Sequence, residues 1–164
     1  MDKNMEVSVV LPCLNEEEAI GACLKKIKDV FAREGISGEI IVADNGSVDN
    51  SRRIAEKEGA KVVLEHQRGY GAAYLRGLRE AKGKYILIAD SDNTYDFYEL
   101  PKFIALLKQG NDFVIGSRFK GKNQEGRDVL VAPLYRKPHP LLDDQALFPY
   151  PALRHTLRDA RLYL

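Results

Sequence analysis

The sequence predicts an open α/β fold, in which a mostly parallel sheet is flanked by helices. Three observations carry that reading. From Val7 to Gly116, short apolar runs alternate with amphipathic stretches, the alternation that strands and helices of one α/β domain require. The run Tyr85-Ile86-Leu87-Ile88-Ala89 is apolar without interruption, as a strand buried on both faces must be. Acidic and amide residues stand directly after the apolar runs, at Asn15-Glu16, Asp44 and Asp90-Ser91-Asp92.

The first strand is Val7-Ser8-Val9-Val10-Leu11, closed by Pro12. A helix follows, with Asn15 as its cap and Glu16, Glu17 and Glu18 at its positive end; Ile20, Cys23, Leu24, Ile27, Val30 and Phe31 recur at helical spacing. The stretch Gly35 to Gly38 ends it. A second strand, Glu39 to Ala43, runs into Asp44-Asn45-Gly46-Ser47, after which Ser47 or Asp49 caps a helix reaching Gly59. Lys61 to Leu64 is a short third strand. A helix from about Gly71 to Lys82 stops at Gly83, before the fourth strand, Tyr85 to Ala89. Pro101 suits the first turn of a helix through Lys108, and Phe113 to Gly116 is a fifth strand.

The 164 residues are enough for one buried domain and few for two. Lys plus Arg number 25 against 24 Asp plus Glu, and a net charge of +1 argues against a general nucleic-acid binder, which depends on neutralising phosphates. No run approaches the roughly 20 apolar residues of a membrane span, and the charged, polar start from Met1 to Glu6 is unlike a signal peptide, so a cytoplasmic protein is expected. Cys13 and Cys23 form no CxxC pair and have no histidine nearby; both are read as small buried hydrophobes.

In an open α/β sheet, ligands bind beyond the carboxyl ends of the strands, and the acidic residues collect there. Asp90 and Asp92 have the type and spacing to help hold a hard divalent cation, Mg²⁺ or Mn²⁺, leaving room for water and substrate phosphate. Such an ion would stabilise a departing nucleoside diphosphate. Asp44, at its strand end, can accept the N–H of a uracil or guanine ring, while Gly46 and Ser47 suit a turn and helix cap. Glu16 reads equally as a ligand and as a carboxylate at a helix start. Arg68-Gly69-Tyr70-Gly71-Ala72-Ala73 lacks the spacing of G-x-G-x-x-G and the Walker lysine, but its small residues let backbone N–H groups approach a phosphate. Arg118 offers a guanidinium fork to phosphate or to a surface ion pair. His66, His139 and His155 are scattered, and no serine–histidine–acid set is apparent.

Taken in order, Leu11-Pro12-Cys13-Leu14-Asn15-Glu16, Ala43-Asp44-Asn45-Gly46-Ser47-Val48-Asp49, Arg68 to Ala73, Ala89-Asp90-Ser91-Asp92-Asn93-Thr94-Tyr95-Asp96-Phe97 and Ile115-Gly116-Ser117-Arg118-Phe119 resemble family 2 glycosyltransferases of the Rossmann-like GT-A fold. The nearest group resembles bacterial dolichyl-phosphate mannose and glucose synthases, with T-Y-D-F after the aspartates. The resemblance covers about residues 5 to 121.

It implies inverting transfer of a hexose from a UDP- or GDP-sugar to a polyprenyl phosphate, by an enzyme peripheral to the inner membrane face. Pro12, Asn15, Glu16 and Asp44 would hold the nucleoside, with Gly46 and Ser91 completing the nucleotide-sugar site. Asp90 and Asp92 would hold metal and diphosphate, Asp92 and Arg118 being the catalytic pair, with Arg118 on the acceptor phosphate. Asn45 replaces the second Asp of the broader D-D-G-S pattern, as it does in the T-Y-D-F group. A phosphate acceptor is already anionic and needs no general base. The alternatives are transfer to a polysaccharide or soluble hydroxyl, and a nucleotide-sugar-binding fragment without activity.

Two segments are therefore expected: a nucleotide-sugar-binding core over 1–121 and an atypical, mostly irregular tail over 122–164, with a marginal helix from Ala152 to Leu164. Five of the seven prolines lie in the last forty residues, with only one of thirteen glycines, Gly126. Related chains carry Trp-Leu-His-Arg-Tyr-Ile-Gly-Asn-Pro at this point, whereas Leu130 to His139 reads L-V-A-P-L-Y-R-K-P-H. Those ten residues can be encoded as CTG GTT GCA CCG CTA TAT CGG AAA CCC CAT. Read one base later, the same string encodes the family motif, which points to a frame shift near Gly126 to Asp128.

Overall fold

The computed structural model describes residues 5–116 and the backbone of 134–136. Ten elements follow in order: β1 Val7–Cys13, α1 Ile20–Glu34, β2 Gly38–Asp44, α2 Ser51–Lys57, β3 Lys61–Leu64, α3 Tyr70–Glu80, β4 Tyr85–Ile88, α4 Leu100–Lys108, β5 Phe113–Val114 and β6 Leu134–Arg136. They build a sheet of order β3-β2-β1-β4-β6-β5, parallel from β3 to β4 and flanked by helices.

Alternation along the strands sorts the core into two layers. Val7, Val9 and Leu11 point to one face and pack with Ile20, Leu24 and Ile27 of α1 and Phe103, Ile104 and Leu107 of α4. Val10, Ile41 and Ile86 point to the other face, which Ala73, Tyr74 and Leu78 of α3 cover. The chain runs outward from β1 to β3 with α1 and α2 on the first face, then returns by α3 across the second face to β4, on the other side of β1. The strand order thus reverses between β1 and β4, where such sheets open a crevice.

Several local expectations are corrected. Strand β1 continues through Pro12 to Cys13, because Pro12 lies beyond the β1–β4 ladder, which ends at Val10↔Ile88. The missing N–H therefore leaves no ladder bond unmade. Asn15 does not cap α1: it has φ 58°, and the helix begins at Ile20. Neither Ser47 nor Asp49 is the residue before α2, which is Asn50, although Asp49 Oδ1 accepts the Ser51 amide at 2.9 Å. The C-terminal end of α1 is as expected, with Gly35 left-handed at φ 63°.

Beyond Gly121 the sequence reading contains no strand, yet β6 lies antiparallel between β4 and β5. Three residues are too few to show a period, and a ladder draws only on backbone groups. Arg118, the expected helix from Ala152 to Leu164 and the rest of the tail lie outside the described residues.

Candidate functional site

Register fixes where the strand ends meet. Cys13 is level with Asp44 across β1 and β2, and the Ala89 amide donates to Val10 O just past the end of β4. The carboxyl ends of β2, β1 and β4 therefore share one edge, with Asp44 and Asp90 separated by two strand spacings, roughly 10 Å. A cavity of about 330 Å³ opens there. It is lined by Pro12, Cys13 and Leu14 from the end of β1, by Asn45, by Arg68, Gly69 and Tyr70 from the start of α3, and by Glu16, Asp90, Ser91 and Asp92. Its volume falls within the range of small-molecule sites.

The Asp90-Ser91-Asp92 turn is anchored from beneath. Ser91 Oγ donates to Pro12 O at 2.6 Å, and the Cys23 thiol of α1 donates to Ser91 O at 3.4 Å. Burying Ser91 turns the flanking aspartates toward the opening. Asp92 is exposed; its Oδ1 accepts the Thr94 amide and hydroxyl at 3.0 and 2.8 Å, and its Oδ2 makes no hydrogen bond among the described residues.

Asp90 sits among three tyrosines that the sequence reading missed. Tyr95 donates to Oδ2 at 2.9 Å, and Tyr74, at 3.1 Å, and Tyr70 both donate to Oδ1. The rings of Tyr70 and Tyr74 meet edge to face at 4.7 Å. Burial, reinforced by the Asp90 carboxylate, holds both phenols well above their ordinary range, so they remain donors. Their four-residue spacing on α3 was a legible sign that they share a helix face; what that face meets was not.

Glu16 is half-buried, and its backbone amide donates to Ser51 Oγ at 2.7 Å. Burial raises its carboxyl above the ordinary glutamate value, and the charges of Asp92, Asp49 and Asp90 raise it further. The carboxylates lining the cavity thus raise Glu16, and Arg68 is the cationic side chain in the same lining. Among the described residues, no three His, Cys, Asp or Glu side chains are grouped to hold a metal alone. The donor set fits a hard cation bound by one or two carboxylates, with water and phosphate oxygens completing its shell.

The remaining expected residues stand outside the cavity wall. Asp44 is 2% exposed and accepts the Ser47 amide at 3.2 Å; its neighbour Asn45 faces the cavity instead. Gly46, at φ 92°, makes the turn that follows. Asn15 ties two loops together, its amide donating to Ser47 Oγ at 3.0 Å and its Oδ1 accepting the Val48 amide at 2.9 Å. The structure thus gathers Pro12, Glu16, Asp90, Ser91 and Asp92, and leaves Asp44, Gly46 and Asn15 just behind them.

The acidic cavity thus lies at the switch point of the sheet. Residues 8–160 match the description "Glycosyl transferase family 2", and the chain belongs to that family. The match extends well past Gly121, where the sequence reading ended the resemblance. The chain is 42% identical over 117 residues to the low-salt glycan biosynthesis hexosyltransferase Agl6 of Haloferax volcanii, covering 71% of this chain and 28% of that protein. It is 33% identical over 138 residues to the dolichol-phosphate mannosyltransferase of Pyrococcus furiosus, covering 81% and 38%. Among solved structures, glucosyl-3-phosphoglycerate synthase from Mycobacterium tuberculosis, in complex with Mn²⁺, UDP and phosphoglyceric acid, superimposes with a TM-score of 0.60 at 29% identity, covering 71% and 44%. The chain spans less than half the length of each of these proteins.

Proposed function

We propose that this chain is the donor-binding part of a metal-dependent, inverting hexosyltransferase that uses a UDP- or GDP-sugar, with a polyprenyl phosphate as acceptor. The observation that carries the reading is the cavity lining, in which Asp90, Asp92 and Glu16 stand together with Arg68 at the strand-order reversal. An anionic wall accommodates a diphosphate only when a cation intervenes, and the uncommitted oxygen of Asp92 suits one. Bound Mg²⁺ or Mn²⁺ would neutralise the diphosphate as it departs. Asp92 would orient that diphosphate, and Asp90, held by its tyrosines, would fix the opposite side of the turn. Glu16 would meet the nucleoside with Pro12 and Ser91 shaping its seat, Asp44, Asn15 and Gly46 would support that seat from behind, and Arg118 would meet the acceptor phosphate.

The dolichol-phosphate mannosyltransferase relative favours the lipid acceptor, and with it a cytoplasmic protein working at the inner membrane face. No helix among the described residues is long and apolar enough to cross a membrane. A second reading, a soluble phosphate-bearing acceptor, draws on the phosphoglycerate in the solved relative. Residues 1–121 are proposed as the donor-binding core and 122–164 as a tail altered by a frame shift, which would leave a binding fragment with weakened transfer.

Calorimetry with UDP and GDP, with and without Mn²⁺, tests donor binding. Transfer of radiolabelled sugar to polyprenyl phosphate, 3-phosphoglycerate or an oligosaccharide then separates the acceptors. Metal-independent binding, or binding of neither nucleotide, overturns the reading. Codons across Gly126 to His139 that cannot encode the Trp-to-Pro motif in another frame overturn the frame shift.

A further inference from the structure

Asn45 makes more committed hydrogen bonds than any other side chain facing the cavity except Asp90. Only 7% exposed, it donates from Nδ2 to Glu65 O at 3.0 Å and to Gln67 O at 2.8 Å, while Oδ1 accepts the Gly69 amide at 2.8 Å. Both amide hydrogens and one oxygen lone pair are engaged, and two carbonyls on one side with an N–H on the other leave only this orientation of the amide. The bonds run from the end of β2 to three alternate residues of the loop joining β3 to α3. That loop delivers Arg68, Gly69 and Tyr70 to the cavity wall. Gly69 reaches Asn45 at φ 135°, a backbone conformation that side chains other than hydrogen rarely allow.

We propose that Asn45 is a positioning residue for the donor nucleotide, acting through the Glu65–Tyr70 loop, and that its amide cannot be replaced by a carboxylate in this chain. The inference rests on the reading of the cavity as a nucleotide-sugar site. A carboxylate accepts but does not donate, so it would face the Glu65 and Gln67 carbonyls with like partial charge and keep only the bond from Gly69. The wall carrying Arg68 and Tyr70 would then be released at two of its three ties. Tyr70 would lose its alignment on Asp90 by the same movement, which couples the two sides of the cavity. The amide at this position, where the broader pattern has an aspartate, is thus required by the carbonyls it meets.

The test uses the full chain with Asn45→Asp, Asn45→Ser and Ser8→Ala. Serine is too short to reach the loop and adds no charge. Ser8 lies at the opposite edge of the sheet, where it bonds Glu39 and Gly83, and serves as a control for stability loss alone. Amide exchange at Gly69 and calorimetric affinity for UDP and for GDP with Mn²⁺ are measured together. Both Asn45 variants should bind nucleotide about 10-fold more weakly, a small displacement of a positioning group being enough for that, and Asn45→Ser, which keeps no bond to Gly69, should also exchange the Gly69 amide faster. Ser8→Ala should melt earlier yet bind as wild type does. In Asn45→Ser, faster exchange with unchanged affinity or weaker binding with unchanged exchange overturns the positioning role, as does wild-type affinity in Asn45→Asp or weakened binding in Ser8→Ala. Wild-type protein that binds neither nucleotide overturns the reading of the cavity, while exchange at Gly69 still reads the tie itself.

Discussion

Gly83→Ala tests the close approach that lets β4 lie beside β1 and so bring Asp90 over Pro12. A Cβ at residue 83 would lie 2.4 Å from Ser8 N, 2.6 Å from Val7 C and 2.8 Å from Ser8 Oγ. Two of those three atoms are backbone, so a side-chain rotation does not relieve the clash. The start of β4 must withdraw by roughly 1 Å to reach ordinary contact, with an overpacking cost of about 1–3 kcal/mol. That withdrawal also breaks the buried bond from the Gly83 amide to Ser8 Oγ, now 2.8 Å, at about 1–3 kcal/mol for an orphaned donor. Restricting the unfolded chain offsets about 0.4–1 kcal/mol. The net is a destabilisation of about 3 kcal/mol, or about 6–12 °C in Tm for a domain of this size. Calorimetric melts of wild type, Gly83→Ala and the Ser8→Ala/Gly83→Ala double variant provide the measurement. Removing Ser8 Oγ leaves both backbone contacts, so the double variant should not recover. A Gly83→Ala protein melting within about 2 °C of wild type, or full recovery in the double variant, refutes the argument.

Asp92→Asn should weaken Mn²⁺-dependent nucleotide binding by about 10-fold or more while leaving metal-free binding unchanged; calorimetry that finds no difference removes Asp92 from its role. Glu16 has a carboxyl raised by burial and by the charges of Asp92, Asp49 and Asp90, so the folded state binds its proton more tightly than the unfolded state does. Its contribution to stability is present below the ordinary glutamate value and is lost as pH rises through the raised one. Glu16→Gln should therefore melt above wild type near about pH 7, with the gap closing toward about pH 4, and a gap independent of pH contradicts the assignment. Cys23 is pushed up to about 11 by burial, and Cys13 is raised for the same reason. Iodoacetamide should leave both thiols of the native protein unlabelled and modify both after unfolding in urea; native labelling at either position disproves their burial.

Much of the fold was legible because it is written in local pattern. Lys61–Leu64 is the third strand as expected, the apolar run from Tyr85 is buried along its whole length, and Leu100–Lys108 is helical with Pro101 in its first turn. Apolar period and turn chemistry act over a few residues, so a single sequence exposes them. The errors fall where a distant partner takes over. Asn15 has a cap's composition, but its side chain meets the Val48 amide, 33 residues away. Strand β6 exists through the backbone of β4 and β5, which no side-chain pattern announces.

The candidate site divides along the same line. Composition and spacing singled out Asp90 and Asp92 as oxygen donors at a strand end, and both line the cavity. Which neighbours orient them was decided only by the packed sheet: Tyr70 and Tyr74 reach Asp90 because α3 crosses the second face, and Tyr95 because the chain turns back after β4. Asn45 looked like one letter of a turn motif, and tertiary contact made it the tie of a loop twenty residues on. The sequence by itself determined which groups could bind and which segments would be strands or helices, since both follow from residue type and short-range period. Tertiary structure alone decided which of those groups share a cavity, because distances between segments far apart in the chain are set by sheet register and layer packing.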